Sequence, residues 1–455
     1  MSLPEMSEAA MAKPAVDLPS ASGSAYGFYV VGVLMVAYMF SFIDRTLLSL
    51  VMDPIRKDFG LSETQVSLLA GFAFAAFYTV LGLPFGRWVD TRGRRNLIVI
   101  GLGLWSLATA ACGLSTSFLR LFAARMAVGV GEATLSPSAY SMIPDYFPPQ
   151  RLGMAMGIYS CGVTLGGGIA MLVGGFVVQW ATSAHPILPV VGQLAAWKIP
   201  FLVVGLPGVL MALVLLVTVR EPPRRLERGA TVSEAPPLRE VAAYLWTHRG
   251  LFGPMFFGFA SIVIAGYAFN VWGPVYFMRV HGLKPAEVGV VFALGFGVFG
   301  TLGVLAGGAL SDRLARRGRL DAPLRVSLWS ALVQAPFFLG AYLIPSRLGA
   351  EVIFIAALFF ASIYGGLQAA AIQAMTPNRM RGQVAALYLT IANLMGLGLA
   401  PTWTALMTEH LFGGPMHVGE SLAVTTVISL AVGAALLALA SRPARTRAAE
   451  LYANA

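Results

Sequence analysis

Four charged side chains fall inside stretches otherwise apolar enough to cross a bilayer. Asp44 and Arg45 lie in Phe40-Ser-Phe-Ile-Asp44-Arg45-Thr46, and Arg125 and Glu132 in Arg125-Met-Ala-Val-Gly129-Val-Gly-Glu132. On an α-helix Arg125, Gly129 and Glu132 stand at i, i+4 and i+7 and share one face, where glycine lets a neighbouring backbone approach between the charges. Ionisable groups at membrane depth are costly and point into a bundle or a wet cavity, where they are paired or do work. Adjacent helix positions point about 100° apart, so Asp44 and Arg45 are expected to reach separate partners. Such a set could exchange protons at Asp44 and Glu132 and attract an anion at Arg45 and Arg125. A buried ion pair kept for packing alone is the alternative.

The elements that must hold these groups are membrane helices. Of 455 residues, 57% are hydrophobic and 11% charged, with a mean hydropathy of +0.74, more apolar than a soluble core requires. Apolar runs of about 20 residues mark spans. Twelve are found, roughly 26–52, 64–88, 96–114, 118–144, 152–180, 199–219, 251–279, 287–311, 324–345, 351–375, 383–408 and 421–441. The first 22 residues lack the basic-then-apolar order of a cleaved signal and are expected to be a disordered tail. The two cysteines, Cys112 and Cys161, sit in different spans, and the five histidines fall in or near loops, which argues against a disulfide framework, a haem attachment or a metal centre.

The net charge of +10 is spread from loop to loop and is not gathered into a nucleic-acid patch. Twenty-two Lys and Arg fall on the side shared by both termini and seven on the other. The positive-inside rule then puts both termini in the cytoplasm, in a cell or inner membrane. Residues 221–250, charged and proline-containing, read as a cytoplasmic linker between halves 23–220 and 251–441, with a surface helix from Pro237 to Trp246 and a tail over 442–455.

The halves resemble each other. Gly86-Arg-Trp-Val-Asp90 after span two matches Gly308-Ala-Leu-Ser-Asp312 after span eight, and Tyr159 and Tyr388 occupy matching places in spans five and eleven. The fold class expected is an all-α membrane protein, with two parallel six-helix repeats as in a rocking transporter.

Gly86-Arg-Trp-Val-Asp90-Thr-Arg-Gly93-Arg94-Arg95, together with twelve spans, resembles the loop signature of the major facilitator superfamily. Glycines there allow close packing at Gly86 and a tight turn at Gly93. The resemblance implies a cytoplasmic gate in which Asp90, Arg94 and Arg95, with Asp312 and Arg313 in the second half, hold the halves together in the outward-open state. Thr91 replaces the arginine usual after the aspartate. In span five, Gly162-Val-Thr-Leu-Gly166-Gly-Gly168 and Gly174-Gly175 resemble the family's helix-packing motif, and Gly300, Gly303 and Gly307 in span eight offer a matching surface. The Asp44-Arg45 pair with R-x-x-x-G-x-G-E-A in span four resembles the Spinster-type branch, which includes lysolipid and sphingosine-phosphate transporters.

The second half carries no intramembrane charge. It supplies Tyr267, Asn270, Trp272 and Tyr276 in span seven, Tyr364 and Gln368 in span ten, and Tyr388 and Asn393 in span eleven. These could line an amphipathic cavity or satisfy one another between helices.

The expectation is a monomeric secondary active transporter of a lysophospholipid-like or sphingolipid-like amphiphile, needing no cofactor, with protons as coupling ion and membrane lipids around it. A same-fold transporter of a small organic anion or drug is the nearest rival, and a non-transporting sensor or scaffold the rival of another class. Clustered catalytic groups and a G-x-x-x-x-G-K-[ST] loop are both absent from the sequence, which weighs against an enzyme and an ATP-driven pump. A single cysteine introduced as Ala230→Cys should react only with cytoplasmic reagent in intact cells; labelling from outside would reverse the topology.

Overall fold

The computed structural model describes residues 25–453 except 92, 148, 185, 189–191, 224–236, 320 and 378–379. The expected tail over 1–22 and most of the linker lie outside the described residues.

Span one is α1 (Ala25–Phe59), and span two is broken into α2 (Glu63–Ala70) and α3 (Phe72–Thr91). Span three is α4 (Arg94–Gly113), and span four is α5 (Phe118–Glu132) followed by α6 (Leu135–Tyr146). Spans five and six are α7 (Pro149–Ala184) and α8 (Ile199–Thr218). Between them the loop forms a small antiparallel hairpin, β1 (Ile187–Leu188) and β2 (Gly192–Gln193), in a chain that is otherwise all-α as expected. The surface helix is α9 (Leu238–Thr247) and span seven is α10 (Arg249–Val280). Span eight is α11 (Pro285–Phe292), a π segment (Ala293–Gly300) and α12 (Thr301–Arg316). Spans nine and ten are α13 (Ala322–Leu343) and α14 (Arg347–Ser362) with α15 (Leu367–Met375). Span eleven is α16 (Arg381–Asn393), a π segment (Leu394–Leu399), α17 (Ala400–Leu406) and a second π segment (Met407–Leu411). Span twelve is α18 (Val418–Ala453).

Local chemistry explains several of these ends. Spans two, four and ten all start at the end away from the termini on a serine cap: the Ser62, Ser117 and Ser346 hydroxyls accept from the amides of Gln65, Arg120 and Gly349. Gln65 completes the first cap by accepting from the Ser62 amide at 3.0 Å. Spans four and ten, which correspond in the repeat, are both interrupted, at Ala133–Thr134 and at Gly366, whose φ of +81° suits glycine. Among the described residues eleven spans are long and apolar enough to cross a membrane by composition alone; span four, broken and charged, is the twelfth. The expected tail over 442–455 is instead a continuation of α18 to Ala453, because Ala444 and Ala448 keep burying one face.

In the first half α1 packs on α7 and α4 on α8; in the second, α10 packs on α18 and α13 on both α18 and α14. The halves meet where span one faces seven, span two faces eleven and span five faces eight. A repeat of six spans exchanges the last two pairs, so the interface has the pseudo-two-fold relation of parallel repeats. One apolar cluster, with Leu47, Val51 and Met171 beside Phe269, Trp272 and Phe292, crosses between the halves, while two others lie almost wholly within one half.

Close backbone approach sets this interface. A Cβ at Gly175 would stand 2.3 Å from the Pro285 carbonyl oxygen, one at Gly289 2.6 Å from that of Met171, and one at Gly71 2.5 Å from that of Leu397. Gly168 meets Gly297 inside the span-eight π segment. The expected matching surface on span eight is corrected here. Gly303 and Gly307 face the Phe359 and Ile363 carbonyls of span ten, and Gly289 and Gly297 are the glycines that face span five. Gly175→Ala should therefore drive spans five and eight apart and increase the population open at the end away from the termini. Spin-label distances across that end that stay as in the wild type would show the contact to be yielding.

Candidate functional site

The intramembrane charges converge, but not in the pairing that helix periodicity suggested. Arg45 Nη2 and Nε reach Glu132 Oε2 at 2.7 and 2.8 Å, linking span one to span four. The Ser41 hydroxyl, one turn before Arg45, donates to the same oxygen at 2.7 Å. Glu132 Oε1 and Asp44 Oδ1 are buried without hydrogen-bond partners, and the Thr109 hydroxyl lies beside Asp44. Arg125 does not pair with Glu132. It donates to the carbonyls of Asp44 at 3.2 Å and Leu69 at 3.4 Å, the latter in the last turn of α2, where a helix leaves carbonyls unpaired. Two helical turns separate Arg125 from Glu132, and nearer acceptors on spans one and two claim it. Gly129 lies between them against the Phe74 backbone, with a built Cβ 2.6 Å from its oxygen.

Arg45 is caged by aromatic faces. Its guanidinium lies 4.7 Å from the Phe74 ring centre, 4.8 Å from Tyr78 and 5.4 Å from Phe42, so ring quadrupoles share its charge with Glu132. Its side chain is 15% exposed and Glu132's is 0%, whereas Arg125 is buried. Arg45 is thus the arginine of this set that a substrate could touch. Tyr38 stacks on Tyr159 at 4.9 Å, and Tyr140 meets Tyr159 edge-on at 5.4 Å, extending an aromatic wall from the cage. Sequence reasoning passed over Tyr38, Tyr78, Tyr140 and Ser41; tyrosines clustered in spans one, two and four were the available signal.

The second half presents part of the expected lining. Tyr267 packs on the same first-half apolar cluster as Tyr78, and the Tyr364 hydroxyl lies 3.7 Å from where a Cβ at the neighbouring Gly266 would stand. The Tyr388 hydroxyl donates to Gln368 Oε1 at 2.5 Å, so these two satisfy each other. Asn270 and Asn393 are half-buried. Trp272 and Tyr276 are elsewhere. Trp272 Nε1 donates to the Pro401 carbonyl at 2.9 Å, and the Tyr276 hydroxyl contacts the Ala341 carbonyl and His281 beside a 240 Å³ cavity at the end away from the termini. Both are packing residues there, in the apolar cluster that crosses between the halves.

Of the expected gate, Arg94 is buried and bonded within its own half, to Glu221 at 2.8 Å, to Asp145 and to the Ser141 and Pro222 carbonyls. The Arg95 amide also donates to Glu221, and its side chain bonds Asn96. Gly93 has φ −67°, which any residue adopts, so no tight turn requires it. Asp312 and Arg313 are exposed. Gly86 and Asp90 lie in α3, and the side chain of Asp90 is outside what the structure describes.

Hydrogen bonds and ion pairs join the halves at mid-depth and at the end away from the termini. Arg279 of span seven binds Asp53 at 2.5 Å and Glu63 at 3.0 Å, and Arg56 stands 3.5 Å from Glu63. Glu409 of span eleven accepts from the Thr64 amide and hydroxyl, and Gln179 of span five accepts from the Ala286 amide. The closed gate is therefore this one, made from residues whose place in or beside loops hid them.

Two six-helix bundles sealed at one end around a charged, aromatic-walled centre have the architecture of a membrane transporter. The chain belongs to the Major Facilitator Superfamily, which residues 34–401 match. It is similar to a bacterial homologue of the human lysosomal transporter Spinster, solved in an inward-facing, unoccupied conformation, at 28% identity and a TM-score of 0.77 over 93% of this chain and 97% of that one. An MFS-type efflux pump of Mycolicibacterium smegmatis is 29% identical, covering 90% of this chain and 92% of the pump. A hexuronate transporter of Bacillus subtilis is 26% identical, covering 92% and 97%. The resemblance to the Spinster branch is thereby borne out, and the protein is a multi-pass transporter, not an enzyme.

Arg279 sits 7% exposed between two acids, so Arg279→Gln removes the bond across the halves and leaves Arg56 alone to pair Asp53 and Glu63. A loss of about 1.4 kcal/mol shifts a two-state population tenfold. Distance measurements across this end should show the open population rising by about that factor or more; an unchanged distribution would leave Arg279 a folding role only.

Proposed function

We propose that this transporter moves an anionic amphiphile of the lysophospholipid or sphingolipid class by alternating access, with protons as the coupling ion. The carrying observation is the Arg45–Glu132 bond: the one partly exposed arginine of the set, caged by Phe42, Phe74 and Tyr78, is held by a carboxylate whose second oxygen has no partner. A proton on Glu132 weakens its hold on Arg45 and leaves the guanidinium free for a phosphate oxygen; loss of that proton restores the bond and competes the headgroup away. Asp44, also buried with an unpartnered oxygen, is the second proton site. The aromatic wall of Tyr38, Tyr78, Tyr140 and Tyr267 suits an apolar chain with one polar end.

With both termini in the cytoplasm, on the count of basic residues, the closed gate at Arg279 lies outside and the site communicates inward. Arg94 and Arg95 would then join Asp90, Asp312 and Arg313 across the cytoplasmic face only after the halves rock. A small organic anion is the second reading, favoured by the likeness to a hexuronate transporter, and it would use the same arginine.

The test is uptake into proteoliposomes of a labelled lysophospholipid, a neutral analogue of equal tail, and a hexuronate, with and without a pH gradient. Glu132→Gln should keep the fold and lose the response to the gradient. Arg45→Ala should weaken the phosphate-bearing lipid by roughly 10- to 100-fold, as expected for one charge-assisted contact, and the neutral analogue far less. Hexuronate uptake without lysolipid uptake would decide for the second reading, and wild-type response in Glu132→Gln would remove its proton role.

A further inference from the structure

The end of the second half that carries the C-terminus holds a cavity apart from the central charges. It has a volume of 410 Å³ and is lined by Arg317, Gly318, Arg319, Asp321 and Arg445. Its floor is a tight connection between spans eight and nine. Gly318 turns the chain at φ +77°, and the amides of Arg317, Gly318 and Arg319 bond the Leu314 and Ala315 carbonyls that close α12. Its far wall is the part of α18 that runs past the span-twelve apolar run.

Asp321 ties the two together. It is fully buried, and its Oδ2 accepts from Arg325 Nε at 2.7 Å and from Arg445 Nε at 2.8 Å, while Oδ1 is buried without a partner. The one acid lining the cavity is thus already committed to two guanidinium groups. Arg317 and Arg319 are exposed and have no acidic partner among the described residues. The lining therefore carries an uncompensated positive charge on planar groups that bind phosphate oxygens in pairs. The N-terminus of the 22-residue helix α13 adds a favourable dipole from below. The cavity also sits where two membrane spans emerge, at the level at which lipid headgroups meet basic side chains.

We propose that this cavity binds the phosphate-bearing headgroup of an anionic membrane lipid, which bridges the span eight-to-nine turn to the C-terminal extension of α18. A headgroup there neutralises Arg317 and Arg319 and can accept from the Nη groups of Arg445, whose Nε stays bonded to Asp321. Free phosphate shares this chemistry but lacks the acyl chains that hold a lipid beside the spans.

The experiment is thermal unfolding of the purified full-length protein in detergent, titrated separately with short-chain phosphatidylglycerol, phosphatidylcholine of the same chains, and sodium phosphate. Phosphatidylglycerol should raise the Tm of the wild type saturably and the other two should not. Arg317→Gln/Arg319→Gln should weaken the apparent affinity about 10-fold or more, the loss of at least one charge-assisted contact. Lys57→Gln/Arg120→Gln, the same charge change at the opposite end, should leave it unaltered. Equal shifts with phosphatidylcholine, or an unweakened double variant, would overturn the proposal. An equal shift with sodium phosphate would overturn the lipid assignment in favour of a soluble anion. Should the double variant not purify, counting lipids retained by Arg319→Gln in native mass spectrometry decides: undiminished phosphatidylglycerol retention sinks the site.

Discussion

The bond between Arg45 and Glu132 is the constraint around which the first half is arranged. A guanidinium and a carboxylate in a water-poor interior are tolerated only if each finds its partner, and removing one partner of such a pair costs about 3–5 kcal/mol. Span one must therefore face span four at this depth, and Ser41, one turn earlier, must supply the additional donor. The rings of Phe42, Phe74 and Tyr78 complete the environment, since their faces accept positive charge without competing for its protons. Arg125, four residues before the glycine that admits span two, satisfies backbone carbonyls and helps fix the break between α2 and α3. The two arginines have separate tasks: Arg125 is committed to the scaffold, whereas Arg45 retains exposed surface.

The boundary between the halves shows how a structure that must move can still be sealed. Its contacts are of two kinds. At Gly71, Gly168, Gly175 and Gly289 backbones touch without side chains between them, which gives large dispersion contact at short range and loses it abruptly on separation. At Arg279, Asp53 and Glu63 charges are bonded across the halves, with Arg279 and Glu63 buried and Asp53 partly exposed, so opening brings water to groups that are paired when closed. The π segments of spans eight and eleven lie on this boundary, where wider turns let a helix present glycine and carbonyl groups to its neighbour. At the end that carries the termini, Arg94 ties the first half to the start of the linker at Glu221, and Arg445 ties span twelve to Asp321. A closed end is what a rocking pair of bundles presents in one of its two states.

Much of the architecture was legible in the chain itself. Twelve apolar runs of the length a bilayer demands, basic residues sorted by loop, and a glycine-aspartate pattern recurring after spans two and eight are local or periodic signals. They depend on the solvent around each segment and hardly on its neighbours. The four intramembrane charges were legible for the same reason, because charge in an apolar run stands out wherever it occurs. Partners were not. Helix periodicity put Arg125 and Glu132 on one face, yet Arg45, 87 residues from Glu132 in sequence, took the carboxylate, since pairing at hydrogen-bond range depends on which helices adjoin. The same holds for Trp272 and Tyr276, polar residues in a span that the rotation of α10 turns into packing, and for the gate of Asp53, Glu63 and Arg279, whose members look like ordinary loop-edge charges until two halves bring them together. Even the length of span twelve was a tertiary matter: its apolar run stops near residue 441, but Asp321 and the buried alanines of the last turns carry the helix on to Ala453. Sequence alone determined what each segment must be in a membrane. The tertiary structure decided which charges meet, because burial and contact are properties of neighbouring helices and not of any one of them.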